Sequence, residues 1–171
     1  AGPFATPYRA PGSYKTADGA AANAAAIGTG AKATAANASA FGSGAQATGT
    51  SSLAAGYGNT AGQNNTVAVG ISNTVNTSTN AYAFGENNKA AGQYSTAIGY
   101  GSNTANARSF AAGYKANASQ TDAIGIGTNS VASGTQATAI GEGAVASSAS
   151  AIALGDGALA NTGANAAAIG T

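Results

Sequence analysis

Alanine, a large apolar residue and glycine recur as one block along most of the chain, at intervals close to 14 residues. The first copy reads Ala24-Ala25-Ala26-Ile27-Gly28. Its last residue, which we call the anchor glycine, recurs at Gly28, Gly42, Gly56, Gly70, Gly85, Gly99, Gly113, Gly125, Gly141, Gly155 and Gly170. Gly127 is an alternative anchor to Gly125 that makes the spacing more regular. A short period repeated this often predicts a repeat architecture.

Side chains within each block alternate between small and bulky. The residues two and four before the anchor are small, and the residue one before it is large in most copies: Ile27, Phe41, Val69, Phe84, Ile98, Ile124, Ile140, Leu154 and Ile169. Successive side chains of a strand point to opposite faces, so the block predicts a short strand with one small and one bulky face. Because neither face is charged, we expect burial on both sides. The bulky face of Ile27, Ile98 and Ile140 should then fill the core between strands and between chains.

Two turns complete each unit. Most copies place a second glycine two residues after the anchor, and Gly-x-Gly is typical of a turn because glycine reaches positive φ without steric cost. Tyr57, Tyr100 and Tyr114 directly follow their anchors, so we expect them on an exposed turn. A second small segment and a second polar turn use up the 14 residues. Glycine, Asn, Ser and Thr interrupt every helical window, so residues 20–171 are predicted to form an all-β parallel β-solenoid with coils of about 14 residues.

Residues 1–19 lie outside this repeat. Pro3, Pro7 and Pro11 argue against a central strand there, since proline cannot donate to a sheet ladder. Two interpretations stay open: a cap over the first coil, or a leader without fixed structure. The chain begins with Ala1 and no initiator methionine, which indicates a processed chain or a fragment.

The composition predicts that the chain associates with other copies of itself rather than with nucleic acid or membrane. Charged residues make up 6% of the chain and the net charge is +1, so the sequence carries no basic footprint for nucleic acid and no polybasic membrane patch. No apolar run approaches the length that spans a bilayer. An interior packed mainly with alanine buries little apolar surface per residue, whereas ordering the backbone costs about 1–2 kcal/mol per residue. We therefore expect an oligomer.

The chain is poor in catalytic side chains. It contains no histidine or cysteine to act as base, nucleophile or soft metal ligand. The acids are distributed over separate coils: Asp18, Glu86, Asp122, Glu142 and Asp156. We expect no enzymatic activity, no cofactor and no metal site, with these carboxylates solvated at the surface.

The repeated A-x-A-[I/F/V]-G-x-G-A-x-A, as in residues 24–33 and 137–146, resembles the head repeat of YadA-like trimeric autotransporter adhesins. The resemblance implies a left-handed parallel β-roll, assembled as a homotrimer and displayed on the outer membrane of a Gram-negative bacterium. It also implies a neck, a coiled-coil stalk and a membrane anchor beyond Thr171. The anchors and their preceding residues carry it: Ile27, Gly28, Phe41, Gly42, Val69, Phe84, Gly85, Ile98, Gly99, Ile140, Gly141, Leu154 and Gly155.

The resemblance implies adhesion to extracellular matrix, host cells, other surfaces or other bacteria. Tyr57, Tyr100 and Tyr114 are candidates for the adhesive surface, because tyrosine offers a large and rigid contact area; packing between chains is the alternative role. Collagen-binding heads carry N-S-V-A-I-G, and the nearest match here is Asn65-Thr66-Val67-Ala68-Val69-Gly70, with a weaker one at residues 129–132. An ice-binding β-solenoid is the alternative function, but that function needs a regular rank of threonines and the threonines here are scattered.

Overall fold

The computed structural model of the chain describes residues 18–19 and 21–170. These residues form 22 short strands, numbered β1 to β22 along the chain, which alternate between two parallel sheets of 11 strands each. The prediction of an all-β parallel solenoid is confirmed. Within the described residues, no helix has the length and apolar character needed to cross a membrane.

One sheet, here called the long-strand sheet, contains the blocks that end in the anchor glycines. Its strands have three or five residues: β2 Ala25–Ile27, β4 Ser39–Phe41, β6 Leu53–Tyr57, β8 Val67–Ile71, β10 Tyr82–Glu86, β12 Thr96–Tyr100, β14 Phe110–Tyr114, β16 Ile124–Ile126, β18 Thr138–Ile140, β20 Ile152–Leu154 and β22 Ala167–Ile169.

The other sheet, the short-strand sheet, consists of two-residue strands. They are β1 Asp18–Gly19, β3 Lys32–Ala33, β5 Gln46–Ala47, β7 Thr60–Ala61, β9 Thr74–Val75, β11 Lys89–Ala90, β13 Asn103–Thr104, β15 Asn117–Ala118, β17 Val131–Ala132, β19 Val145–Ala146 and β21 Leu159–Ala160. The strand β1 pairs with β3, so the described part of the short-strand sheet begins at Asp18. The cap or leader predicted for residues 1–19 otherwise lies outside the described residues and stays a prediction.

The register identifies the anchor of the eighth coil. Ala111 pairs with Gly125, and Ala112 pairs with Ile126. Gly125 therefore takes the place that the buried alanine holds in other coils, and Gly127 is the anchor. The assignment of Gly125 as anchor was wrong because glycine, the smallest residue, fits the interior column as well as alanine does.

The interior contains four inward-facing side chains per coil, and nearly all are small. Two belong to the strands: the residue two before the anchor and the residue five after it, such as Ala97 and Ala90. The other two lie at the corners, four residues before and three residues after the anchor. Alanine fills most of these positions at both ends of the rod. The two sheets consequently approach closely, and the largest side chains buried between them are Val75 and three asparagines.

Large apolar side chains lie on the outer face of the long-strand sheet. Ile98 is 38% exposed, Ile27 is 43% exposed and Ile140 is 38% exposed. The expectation that long strands are buried on both sides is therefore wrong for the single chain, and the core between its strands is alanine. The physical reason is that a coil of 14 residues supplies one covering sheet only, so the second face is left for another chain or for solvent.

The anchor glycines stack directly on one another along the rod. At Gly99, φ is +115°, a region that side chains with a Cβ rarely adopt. A Cβ built on Gly99 would overlap the carbonyl oxygen of Gly113 in the next coil. Both the backbone angle and the close approach of neighbouring coils therefore require glycine there.

Three buried asparagines form a ladder through the middle coils, each three residues after its anchor: Asn59, Asn73 and Asn88. The Nδ2 of Asn73 donates to Asn59 Oδ1 at 3.0 Å, to the Val69 carbonyl at 3.0 Å and to the Gly85 carbonyl at 2.6 Å.

The Oδ1 of each asparagine accepts from the coil that follows. Asn73 Oδ1 accepts from both the backbone N–H and the Nδ2 of Asn88, at 3.0 and 2.9 Å. Ser102 ends the ladder, and its hydroxyl lies 2.9 Å from both the Ile98 and the Gly113 carbonyl oxygens, between which its one proton is shared. Every buried side-chain nitrogen and oxygen in the described residues has a hydrogen-bond partner. The middle coils thus replace alanine by polar groups without leaving any of them unpaired.

Gly99→Ala should destabilise the fold by about 3 kcal/mol, the sum of a positive-φ penalty and an overlap with the next coil. Gly157→Ala is the matched control, because φ there is +62° but a Cβ would meet no atom within 4 Å. It should cost about 1 kcal/mol. Urea unfolding followed by circular dichroism measures both, and equal losses in the two variants would contradict the stacking account.

Asn73→Ala should cost about 3 kcal/mol or more, although alanine occupies the same position in several other coils. The substitution removes the donor to two buried carbonyls and the acceptor of the Asn88 N–H, and unpaired buried groups cost about 1–3 kcal/mol each. Asn64→Ala is the control, since exposed Asn64 accepts one bond from the Thr50 N–H. A loss in Asn73→Ala no larger than in this control, measured by the same unfolding assay, would show that the ladder adds no stability.

Candidate binding surface

The outer face of the long-strand sheet carries two apolar rows that run along the rod. The row one before the anchor is Ile27, Phe41, Ala55, Val69, Phe84, Ile98, Ala112, Ile126, Ile140, Leu154 and Ile169. A second row, formed by the residues three before each anchor, has large side chains where the first row has only alanine. Where the first row has Ala55 the second has Leu53, and where the first has Ala112 the second has Phe110. Nearly every coil therefore presents at least one large apolar side chain on this face.

The outer row of the short-strand sheet differs in chemistry. Along the rod it reads Asp18, Lys32, Gln46, Thr60, Thr74, Lys89, Asn103, Asn117, Val131, Val145 and Leu159. Its first eight members are polar or charged, so most of this sheet suits contact with water. The two faces of the roll are thus unequal, and the long-strand face is the apolar one.

Three tyrosines lie along one edge of the rod, directly after the anchor glycines. We call it the trailing edge, because it is the turn that follows each long strand. Tyr57 is 64% exposed, Tyr100 is 41% exposed and Tyr114 is 46% exposed. All three end their strands and continue the pairing, so the expectation that they lie on the turn itself was wrong by one residue. The five-residue strands are β6, β8, β10, β12 and β14, and the first four are followed by the buried Asn59, Asn73, Asn88 and Ser102.

Tyr100 and Tyr114 form a stacked pair, with ring centroids 5.2 Å apart and planes inclined by 10°. The Nζ of Lys115 lies 5.2 Å from the centroid of the Tyr114 ring, close enough for a cation–π contact. Tyr57 is separate from this pair, because Ile71 and Glu86 occupy the two coils between them. The structure therefore brings together two of the three predicted residues.

The opposite edge, here called the leading edge, is the turn before each long strand. The residue five before each anchor has a left-handed backbone there: Asn23, Asn37, Ser51, Asn65, Asn80, Tyr94, Arg108, Asp122, Gln136, Ser150 and Asn165. These side chains stack from coil to coil, as where Asn23 Nδ2 donates to Asn37 Oδ1 at 3.1 Å. The side chains at this position therefore form one continuous ridge along the rod.

Arg108 and Asp122 form a bidentate ion pair on this ridge, with Nε to Oδ1 at 2.6 Å and Nη2 to Oδ2 at 2.8 Å. Hydrogen bonds from the guanidinium lower the pKa of the Asp122 carboxyl. Burial of the carboxyl opposes this effect in part, and the charge of Arg108 adds a smaller lowering. The same hydrogen bonds raise the pKa of Arg108. The pair links two neighbouring coils.

The segment that resembles a collagen motif is only partly displayed. Asn65 is exposed on the leading edge, whereas Thr66 and Ala68 are buried, and the Thr66 hydroxyl donates to the Gln63 carbonyl at 2.6 Å. Val67 and Val69 are half-buried on the long-strand face. The weaker match at residues 129–132 lies at another phase of the coil, with Val131 in the short-strand sheet.

The acids predicted to be solvated are distributed along the surface. Glu86, Glu142 and Asp156 each follow an anchor on the trailing edge, like the tyrosines. Among the described residues, no group of three or more acidic, His or Cys side chains gathers in a way that could hold a metal ion.

Sequence reasoning missed the asparagine ladder and the leading-edge ridge. Both have a signal in the sequence, because each occupies a fixed distance from the anchor, three residues after it and five before it. The signal is weak at any single copy, since asparagine is common in turns throughout the chain. Only the register of several coils distinguishes the buried Asn73 from the exposed Asn64.

Acid should weaken the fold partly through the Arg108–Asp122 pair. Since the pKa of Asp122 is lowered in the folded chain, the pair's contribution is present above about pH 4, the ordinary value for Asp, and is lost as pH falls through the lowered pKa. Asp122→Asn should therefore lose less melting temperature than the native chain between pH 5 and pH 2. Asp156→Asn, which removes an exposed carboxylate on the other edge, should keep the native dependence. Identical pH profiles for Asp122→Asn and the native chain would contradict this account.

Comparison with known proteins agrees with the geometry. The chain matches the family described as "YadA head domain repeat (2 copies)". The match covers residues 20–45, 47–72, 77–102, 106–130 and 132–158. No curated protein matches the chain. The matched segments cover most of the two sheets and confirm the resemblance found from the repeated block. The chain therefore belongs to the YadA head family, a family of surface-exposed bacterial adhesin domains.

Proposed function

We propose that this chain is the head of a homotrimeric adhesin, displayed on the outer membrane of a Gram-negative bacterium, that attaches the cell to extracellular matrix, host cells, other surfaces or other bacteria. The observation that carries the proposal is the apolar outer face of the long-strand sheet, within a chain of this family. An apolar surface of this length is typical of an interface with another protein.

Three chains side by side about a common axis would cover these faces. Closed cyclic symmetry places the same coil of every chain at the same height, so each layer meets copies of itself. Where one apolar row has a small side chain, the other row has a large one, and this favours the arrangement. A layer with Ala55 receives Leu53, and a layer with Ala112 receives Phe110, which keeps each layer filled. We infer the left-handed coil from the family resemblance.

The adhesive contacts are assigned to the tyrosines of the trailing edge, whose outer side such a trimer leaves accessible. Tyr100 and Tyr114 supply a rigid, stacked aromatic pair, and Tyr57 a third ring further along the same edge. Each site offers a small contact, but three chains per head and many heads per cell multiply weak contacts into firm attachment. Neither catalysis nor a cofactor has a role in this function.

Ice binding receives no support from the outer rows. Threonine occupies two successive coils of the short-strand sheet, at Thr60 and Thr74, between Gln46 and Lys89. A flat rank of threonines at one phase, which that function requires, is therefore interrupted on both sides.

An adhesion assay tests the proposed function. Beads coated with the chain are counted on fibrillar matrix protein, on cultured cells and on glass, beside beads that carry Tyr57→Ala/Tyr100→Ala/Tyr114→Ala. We expect the triple variant to retain about a tenth or less of the bound beads on at least one surface, because multivalency amplifies the loss at each site. Gln46→Ala, on the polar outer sheet, is the control. Unchanged binding of the triple variant on every surface would contradict the role of the tyrosines.

Ile98→Asp should dissociate the trimer while leaving the coil itself folded. The side chain lies on the outer face of the single chain, so a carboxylate there is solvated in the monomer but costs several kcal/mol when buried between chains. Lys89→Asp, on the opposite sheet, should leave the trimer intact. Light scattering measures both variants, and a stable trimer of Ile98→Asp would refute the proposed interface.

A further inference from the structure

Bulky side chains collect on both edges of two successive coils in the middle of the rod. Tyr94 and Arg108 lie on the leading edge, and Tyr100 and Tyr114 lie at the same two coils on the trailing edge. Tyr94 is 58% exposed and the Arg108 side chain is equally so. Within one chain these two groups are separated by the width of the long strand, so they make no common site.

The backbone at the leading edge does not favour such residues. Tyr94 has φ of +58° and Arg108 has φ of +56°, and a side chain with a Cβ pays about 1–2 kcal/mol for this conformation. Asparagine tolerates it best, and asparagine or serine fills most other positions of the same ridge. The turn therefore explains why the ridge exists but not why Tyr94 and Arg108 occupy it.

A closed ring of side-by-side chains brings the two edges together. Whichever sheet faces the axis, the trailing edge of one chain is next to the leading edge of its neighbour. Cyclic symmetry adds no shift along the axis, so coils of the same number are level. Tyr94 of one chain is then level with Tyr100 of the next, and Arg108 with Tyr114.

We propose that Tyr94 and Arg108 of one chain and Tyr100 and Tyr114 of a second copy form a single aromatic and guanidinium surface at each seam of the oligomer. The proposal rests on the proposed trimer, which it deepens by naming the residues that meet. No single chain holds the complete surface.

The charges and contacts of these groups suit the seam. Asp122 accepts from Nε and Nη2 of the Arg108 guanidinium in its plane, which leaves the planar face of the guanidinium available to stack on a neighbouring ring. The Tyr100 and Tyr114 rings are stacked on each other and keep 41% and 46% of their surface exposed, so both offer area for contact with the next chain. The ion pair also neutralises Arg108, which limits its repulsion of Lys115 beside Tyr114 of the next chain.

Paired cysteines test this arrangement directly, because the native sequence has none. The variant Tyr94→Cys/Tyr100→Cys carries both thiols in each chain, yet the two lie about 20 Å apart across the extended strand and cannot join within it. Treatment with a short bifunctional thiol reagent should therefore link neighbouring chains and yield covalent species of two and three chains on a denaturing gel. Arg108→Cys/Tyr114→Cys should give the same covalent species of two and three chains. It replaces the first variant if that variant does not assemble.

The matched control is Tyr94→Cys/Tyr57→Cys. Tyr57 lies three coils away on the same trailing edge, about 14 Å along the rod, which exceeds the reach of a short link. Single chains should persist in this control and in Tyr94→Cys alone. Native masses by light scattering separate the two proposals: trimers in which neither level pair links would overturn the seam alone, and monomers of the native chain would overturn both. Equal linking in the control would likewise contradict the level alignment.

Discussion

The fold depends on how closely neighbouring coils approach at the anchor glycines. There the carbonyl of one coil occupies the space where a Cβ of the previous coil would lie, as at Gly99 and Gly113. This contact holds the chain to one glycine per coil at a backbone angle that other residues avoid. The regular period of the sequence is the direct consequence, since each coil must return a glycine to the same column.

Close approach of the two sheets has a second consequence for the interior. A roll this thin holds alanine in its strand columns, and its larger buried groups, such as Asn73 and Val75, lie in the middle coils. Asparagine is acceptable there because each amide is paired by its neighbours above and below, so the ladder converts a costly buried polar group into a link between coils. Stability is thus distributed coil by coil, as in other repeat proteins.

The large apolar residues have no room inside, and they line the outer face instead. A roll that buries only small side chains leaves its largest hydrophobic surface, around Phe84 and Ile98, on the outside, where the proposed trimer would cover it. The two edges carry the tyrosines and the ion-paired ridge, and our proposal assigns recognition to the tyrosines.

The sequence alone was sufficient for the period, the two short segments per coil and the family, because glycine and alanine recur at fixed positions. It was insufficient where the same residue type fits two different positions in the coil. Gly125 was taken for an anchor because glycine also substitutes for buried alanine. Ile98 was placed in a core because alternation shows that two faces differ but not which of them another sheet covers. The buried Asn73 was not foreseen because its pairing is between coils, and only the register reveals it.

Solution mass tests the central claim, that the outer apolar face is covered by other copies of the chain. Light scattering on a sizing column should give three times 15.9 kDa, about 48 kDa, for the native chain. A folded and monodisperse species of 15.9 kDa would contradict the claim, since the alanine interior would then suffice with the bulky face in water.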